Sequence, residues 1–229
     1  MHKGKNGKIW FLGRSYQEYV KMFSLKEEEL RDIRILDCAA GASSFTPHLL
    51  KKGYDSTAVD ILYGKSVEET KEQCVNDFHT LMKMHAGLTH KVDWSFFQDP
   101  EDMVQQRISV YEEFLDSYAQ YKDERYIKAA LPELPFGDNS FDLVLSSHLL
   151  FIYEDRLGYD FHRDSILEML RITSSEVRIY PILKLHGESE SSFLPSLMDE
   201  LGDKADFNME KVDYQFRRGS DEMLKINKK

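Results

Sequence analysis

The stretch that decides the fold is Ile33–Tyr63, IRILDCAAGASSFTPHLLKKGYDSTAVDILY. It reads as strand, tight turn of small residues, helix and second strand, with an acid at the end of each strand. Ile33, Ile35 and Leu36 form a short apolar run of the kind buried on both faces of a parallel sheet. The run stops at Asp37. Cys38-Ala39-Ala40-Gly41-Ala42-Ser43-Ser44 follows without one large side chain, so backbone N–H groups can come close to a ligand, and Gly41 can take a positive φ at no steric cost. Pro47 suits the first turn of the next helix, where its missing N–H costs nothing. Lys51-Lys52-Gly53 ends that helix, with cations on the dipole and then a glycine stop. Thr57, Ala58 and Val59 make the second strand, and Asp60 closes it. An acid there, about 20 residues beyond the turn, is placed to accept hydrogen bonds from ribose hydroxyls.

Composition narrows the field. The chain has 229 residues, 41% of them hydrophobic, enough for one good-sized core and one domain over 1–229. No apolar run is long enough to span a bilayer. The opening Met1-His2-Lys3-Gly4-Lys5-Asn6-Gly7-Lys8 is basic, but Ile9-Trp10-Phe11-Leu12 is too short for a signal sequence and runs into Arg14. Cys38 and Cys74 fall in different elements, which suits a reduced, cytoplasmic protein. A net charge of −10 argues against a broad phosphate-binding face, so nucleic acid is not the expected partner and a small-molecule substrate is.

Before the deciding stretch, Ser15–Leu30 carries Tyr16, Tyr19, Val20 and Phe23 at helical spacing, with Ser15 and Glu18 as a capping box and a second short helix from Ser24. After Asp60 a long helical excursion occupies about 64–122. Ser66 with Glu69 opens one helix, bearing Val67, Cys74, Phe78, Leu81, Met82 and His85. Asp99-Pro100-Glu101-Asp102 opens another, with Met103, Val104, Ile108, Tyr111, Phe114, Leu115 and Tyr118 on its apolar face. Trp94, Phe96 and Phe97 lie in the connection. The excursion exceeds a βα loop and reads as an insertion that shapes a substrate cavity as a lid; a helical hairpin enlarging the core or forming a homodimer is the alternative. His79, His85 and His90 lack metal-ligand spacing, and no metal is expected.

Arg125–Ala130 reads as the third strand, followed by Leu131-Pro132-Glu133-Leu134-Pro135-Phe136-Gly137-Asp138-Asn139-Ser140-Phe141-Asp142-Leu143-Val144-Leu145-Ser146. L-P-F-x-D-x-S-F-D-x-V resembles the entry to the fourth strand of class I S-adenosyl-L-methionine (SAM)-dependent methyltransferases. The first stretch is similar to that family's D-x-G-x-G-x-G, with Asp37 as the acid and Ala39, Gly41 and Ser43 at the glycine positions. Asp164–Ile172 resembles its E-x-x-R helix, followed by a turn at Thr173-Ser174-Ser175 and a fifth strand from Glu176. Val212, Tyr214 and Phe216, then Met223, Leu224 and Ile226, alternate as a closing hairpin.

The resemblance implies an α/β, Rossmann-like, doubly wound sheet of seven mostly parallel strands with a helical insertion after the second. It also implies that Asp37, Ala39, Ala40, Gly41, Ala42 and Ser43 cradle the methionine end of SAM, and that Asp60 with Ile61 takes the ribose. Leu131 and Ser146 would line the remainder. Tyr19 or Tyr16 is a candidate contact from the leading helix, with plain packing of both as the other reading. His148 is a candidate general base, with pocket lining as its other reading. The acid that holds adenine in the family is replaced by Ala130. A SAM-binding protein without transferase activity and a nicotinamide-dependent oxidoreductase are the two rival readings.

Overall fold

The computed structural model describes residues 11–85, 92–183 and 190–229. The basic opening run, Ile9, Trp10 and His90 lie outside the described residues. Seven strands form one sheet in the order β3-β2-β1-β4-β5-β7-β6. The strands are β1 (Arg34–Cys38), β2 (Asp55–Asp60), β3 (Tyr126–Lys128), β4 (Phe141–Ser147), β5 (Thr173–Tyr180), β6 (Ala205–Lys211) and β7 (Glu222–Lys228). β1 to β5 run parallel, while β7 runs antiparallel to both β5 and β6. The order reverses between β1 and β4, so the crevice beyond their carboxyl ends is where a sheet of this kind takes its ligand.

The helices are α1 (Tyr16–Met22), α2 (Phe45–Lys51), α3 (Val67–His85), α4 (Pro100–Arg125), α5 (Tyr159–Ile172) and α6 (Leu194–Leu201). Both faces of the sheet are covered. Leu36, Val144, Val177 and Ile179 pack with Ile166, Met169 and Leu197 on one side. Ile35, Leu143 and Leu145 pack with Tyr19, Met22, Phe45 and Leu49 on the other. Among the described residues, no helix is long and apolar enough to cross a membrane.

The family-like motifs have structural work to do. Asp142 begins β4 at the end of the sheet away from the crevice, where it accepts from Arg34 N at 2.9 Å and Arg34 Nη2 at 2.8 Å, tying β4 to β1. Arg171 of the E-x-x-R helix donates to Glu168, to Asp138 and to the Phe136 carbonyl, while Glu168 accepts from Leu134 N. The pair therefore pins α5 to the turn that launches β4.

Several expectations need correcting. The leading helix ends at Met22, because Ser24 takes a φ of 47°, and only a 3₁₀ turn, Glu27–Leu30, follows. Thr173-Ser174-Ser175 is no turn: α5 passes at Ile172 straight into β5. The first strand of the closing hairpin is Ala205–Lys211, ahead of Val212, Tyr214 and Phe216. β6 is an edge strand with a polar sequence and little burial, so it lacks the alternation that marks a half-buried strand. Val212 and Tyr214 are buried as coil that dives into the core. The boundary expected near 122 falls inside α4, which is kinked at Tyr121 and runs on to Arg125. On α4, Ile108 is 41% exposed and Arg107 takes a buried place.

Candidate functional site

The turn after β1 is held from both sides. Asp37, fully buried, accepts from Tyr19 Oη at 2.9 Å and from Ser43 Oγ at 2.8 Å. Ser43 occupies a position the resemblance assigns to glycine, and its hydroxyl explains that departure: it satisfies a buried carboxylate. Burial nonetheless raises the Asp37 carboxyl to about 7, with the Ser43 and Tyr19 hydroxyls pulling down and the Asp60 charge pushing further up. Ala39, at another glycine position, has a φ of +59°. An alanine there carries a strain of roughly 1–2 kcal/mol. Gly41 has a φ of +60°, and a Cβ on it would lie 2.6 Å from the Leu12 carbonyl oxygen.

Asp60 closes β2 and bridges to the turn. Its Oδ2 accepts from Gly41 N at 3.0 Å and its Oδ1 from Leu62 N at 2.9 Å. Burial raises its carboxyl above the ordinary aspartate range, and these two amides oppose the rise. Tyr63 completes the arrangement, donating to the Gly41 carbonyl at 2.6 Å. Ile61 is 63% exposed beside this acid.

Four of the turn's amides have partners within the chain. Ala40 N donates to Val59 O, Gly41 N to Asp60, Ala42 N to Leu12 O and Ser44 N to Arg14 O. A strap, residues 11–14, lies along the turn and supplies two of these acceptors, because a buried N–H left unpaired is costly. α4 presses the strap down: Val110 would meet a Cβ on Gly13 at 2.6 Å, and Phe11 sits edge-on to Phe114 at 5.9 Å. Asp77 of α3 accepts from Phe11 N at 3.1 Å. α3 and α4 thus clamp the strap onto the turn.

Tyr19, 1% exposed, stacks on Phe45 at 4.7 Å and props Asp37. Leu131 is buried in the core cluster on the β4–α5 side. The Ser146 hydroxyl, at the carboxyl end of β4 beside Cys38 of β1, is fully buried and has no hydrogen-bond partner among the described residues. Ala130 is exposed and bridges to Glu133. His148 follows the last residue of β4 with a φ of 56°; its Nδ1 is 2.7 Å from Ser147 Oγ, and its ring stands edge-on to Tyr180. Burial and then the Arg14 charge hold its imidazole well below the usual histidine range, so it is neutral at pH 7. A separate shallow cavity, lined by Asp138, Asn139, Arg171 and Lys228, opens at the opposite end of the sheet.

One group went unforeseen. Glu18, fully buried in α1, accepts two bonds from Arg107 of α4, one from Tyr214 Oη and one from Ser15 N at 2.7 Å, the last as the capping box foretold. Those bonds, with Arg14 as a further partner, hold its carboxyl well below the usual range against the cost of burial. Arg107 is 5% exposed and lies over the Phe97 ring. The sequence does hold a sign of this pairing. Glu18 shares a helical stripe with Tyr19 and Met22, and Arg107 shares one with Met103, Val110 and Phe114, so each puts a charge on an apolar face. The connector aromatics find their cover here too: Phe96 packs on Tyr214 and Phe97 on Phe216.

Comparison with known proteins bears on the fold and the family. Residues 106–176 match a methyltransferase domain family. An uncharacterized protein, MJ0045 of Methanocaldococcus jannaschii, is 38% identical over 218 residues, 95% of each chain. Magnesium protoporphyrin IX methyltransferase from Synechocystis, solved with SAM bound, superposes with a TM-score of 0.52 at 12% identity, over 93% of this chain and 79% of that one. The PH0226 protein of Pyrococcus horikoshii superposes at 0.50 with 14% identity, over 93% and 91%. Likenesses at such identities speak for the fold.

Proposed function

The chain belongs to the class I SAM-dependent methyltransferase family, and from that premise we propose that it binds S-adenosyl-L-methionine and methylates a small-molecule acceptor. The observation that carries the reading is Asp60. Its carboxylate closes β2, the strand beside β1, and holds the Gly41 amide of the turn that leads off the switch point, where an acid can accept from ribose hydroxyls. Three further features fit the same ligand. The Ser146 hydroxyl has no partner among the described residues, Ile61 offers an exposed apolar side chain beside the acid, and Asp37 puts a buried carboxyl behind the turn.

When bound, SAM supplies a methyl group on a sulfonium, already a good leaving group. The chain's own contribution is then chiefly positioning and exclusion of water. The α3–α4 insertion serves as the lid, and its grip on the strap is what supports that role. His148 stands on the acceptor side. Being neutral, it can line the pocket or accept a proton from the acceptor.

The test is direct. SAM and S-adenosylhomocysteine should raise the melting temperature while NAD leaves it unchanged. Asp60→Ala should weaken SAM binding at least tenfold by calorimetry, about 1.4 kcal/mol. Stabilisation by NAD alone points to an oxidoreductase, and equal affinity in the variant removes Asp60 from the site.

A further inference from the structure

Arg14 carries more charge than its surroundings balance. Its side chain is 14% exposed, and Glu18 is its ion-pair partner at 3.5 Å among the described residues. That carboxylate is already spent. Two oxygens offer about four acceptor positions, and Arg107, Tyr214 and Ser15 fill them with shorter bonds. Two guanidinium groups therefore share one carboxylate. Arg107 takes the bidentate seat, and Arg14 is left with a long, single contact and the Phe216 ring 5.4 Å away. A largely buried cation without a close counter-ion is costly, and an incoming anion would repay that cost. Among the described residues, the remaining polar neighbours do not balance it. Tyr214 and Tyr180 are held protonated by burial, and His148, whose ring feels Arg14 more than any other charge, is neutral. Arg14 lies on the strap beside the turn after β1, its carbonyl accepting from Ser44 N and its guanidinium over Phe216.

We infer that Arg14 is the seat for a carboxylate of a bound ligand. The inference rests on the methyltransferase reading and gives its acceptor a chemical class: a small acid whose apolar body lies against Phe216. The methionine carboxylate of SAM is the other source of the same chemistry. The planar fork of Arg14 has donors to spare for either.

Three ligands separate the sources: S-adenosylhomocysteine, 5′-methylthioadenosine, which lacks the amino acid, and sodium benzoate, each titrated by calorimetry into wild type, Arg14→Gln and Arg14→Lys. Benzoate binding that falls tenfold or more in Arg14→Gln, with partial recovery in Arg14→Lys and both nucleosides unaffected, places the acid on the acceptor. A tenfold loss for S-adenosylhomocysteine alone, with methylthioadenosine unchanged, places it on the cofactor. If none of the three ligands distinguishes wild type from Arg14→Gln while circular dichroism shows both folded, the seat is overturned and the methyltransferase reading stands. If benzoate depends on Arg14 but neither nucleoside binds wild type, the methyltransferase reading falls and the seat survives.

Discussion

The turn after β1 and the buried charge group around Glu18 are built in different ways. The turn comes from one stretch, Asp37 to Asp60, in which strand ends, small residues and acids stand in order. The charge group draws Arg14 and Glu18 from α1 and its approach, Arg107 from the insertion and Tyr214 from the coil before β7. The turn's acids hold the turn itself, Asp37 through Ser43 and Asp60 through the Gly41 amide, at the place proposed for the ligand. The Glu18 group spends its charges mainly on one another, locking three remote segments together. Damage to the charge group should therefore register first as lost stability, and damage to the turn as lost binding.

The largest effect is expected at Glu18. Glu18→Ala strands the Arg107 guanidinium in the core, a loss of about 3–5 kcal/mol in urea unfolding. A loss below about 1 kcal/mol would erase the contrast between the two regions. Next comes Gly41→Val, whose Cβ meets the Leu12 carbonyl at a positive φ. SAM binding should fall by roughly a hundredfold, about 2.7 kcal/mol, while circular dichroism reports a folded chain. Retained affinity would take the turn out of the binding machinery.

Asp37 sharpens the comparison through pH. Its carboxyl loses a proton near pH 4 when unfolded but near 7 in the fold, so folding takes up a proton between those values. The stability tied to the protonated form is complete below about pH 4 and is lost as pH rises toward 7. Asp37→Asn should flatten that decline, gaining about 2 kcal/mol on wild type between about pH 5 and pH 7. Parallel curves would mean Asp37 is ionised throughout. The smallest effect is expected from Ala39→Gly, which relieves a positive φ and should stabilise by up to about 1 kcal/mol. No change in melting temperature would show that Ala39 carries no strain.

The same contrast explains what the sequence disclosed. The parallel half of the sheet was legible because its strands carry short apolar runs, Ile35-Leu36, Ala58-Val59 and Leu143-Val144-Leu145, and its turns and caps are local: Gly41, Asp60 and the Ser15–Glu18 box all work within a few residues or one βαβ unit. β6 escaped because an edge strand need not alternate, and Val212 and Tyr214 misled because buried coil can mimic a strand's pattern. The strap escaped because nothing in Leu12-Gly13-Arg14 announces that its carbonyls will serve the amides of Ala42 and Ser44. Arg107 left a trace, a cation on an apolar helical stripe, but its partner lies 89 residues away and no local pattern names it.

The bond between Tyr214 and Glu18 spans 196 residues of sequence. Contacts of such long separation pay their loop-closure entropy before any return, and they tend to form late. As the chain leaves the ribosome, β1, α2 and β2 can assemble well before Tyr214 is made. The Glu18 carboxylate must wait for the last strand-forming segments before its shell is complete. The β1–α2–β2 unit can thus assemble early, whereas the group around Glu18 belongs to the final closure of the molecule.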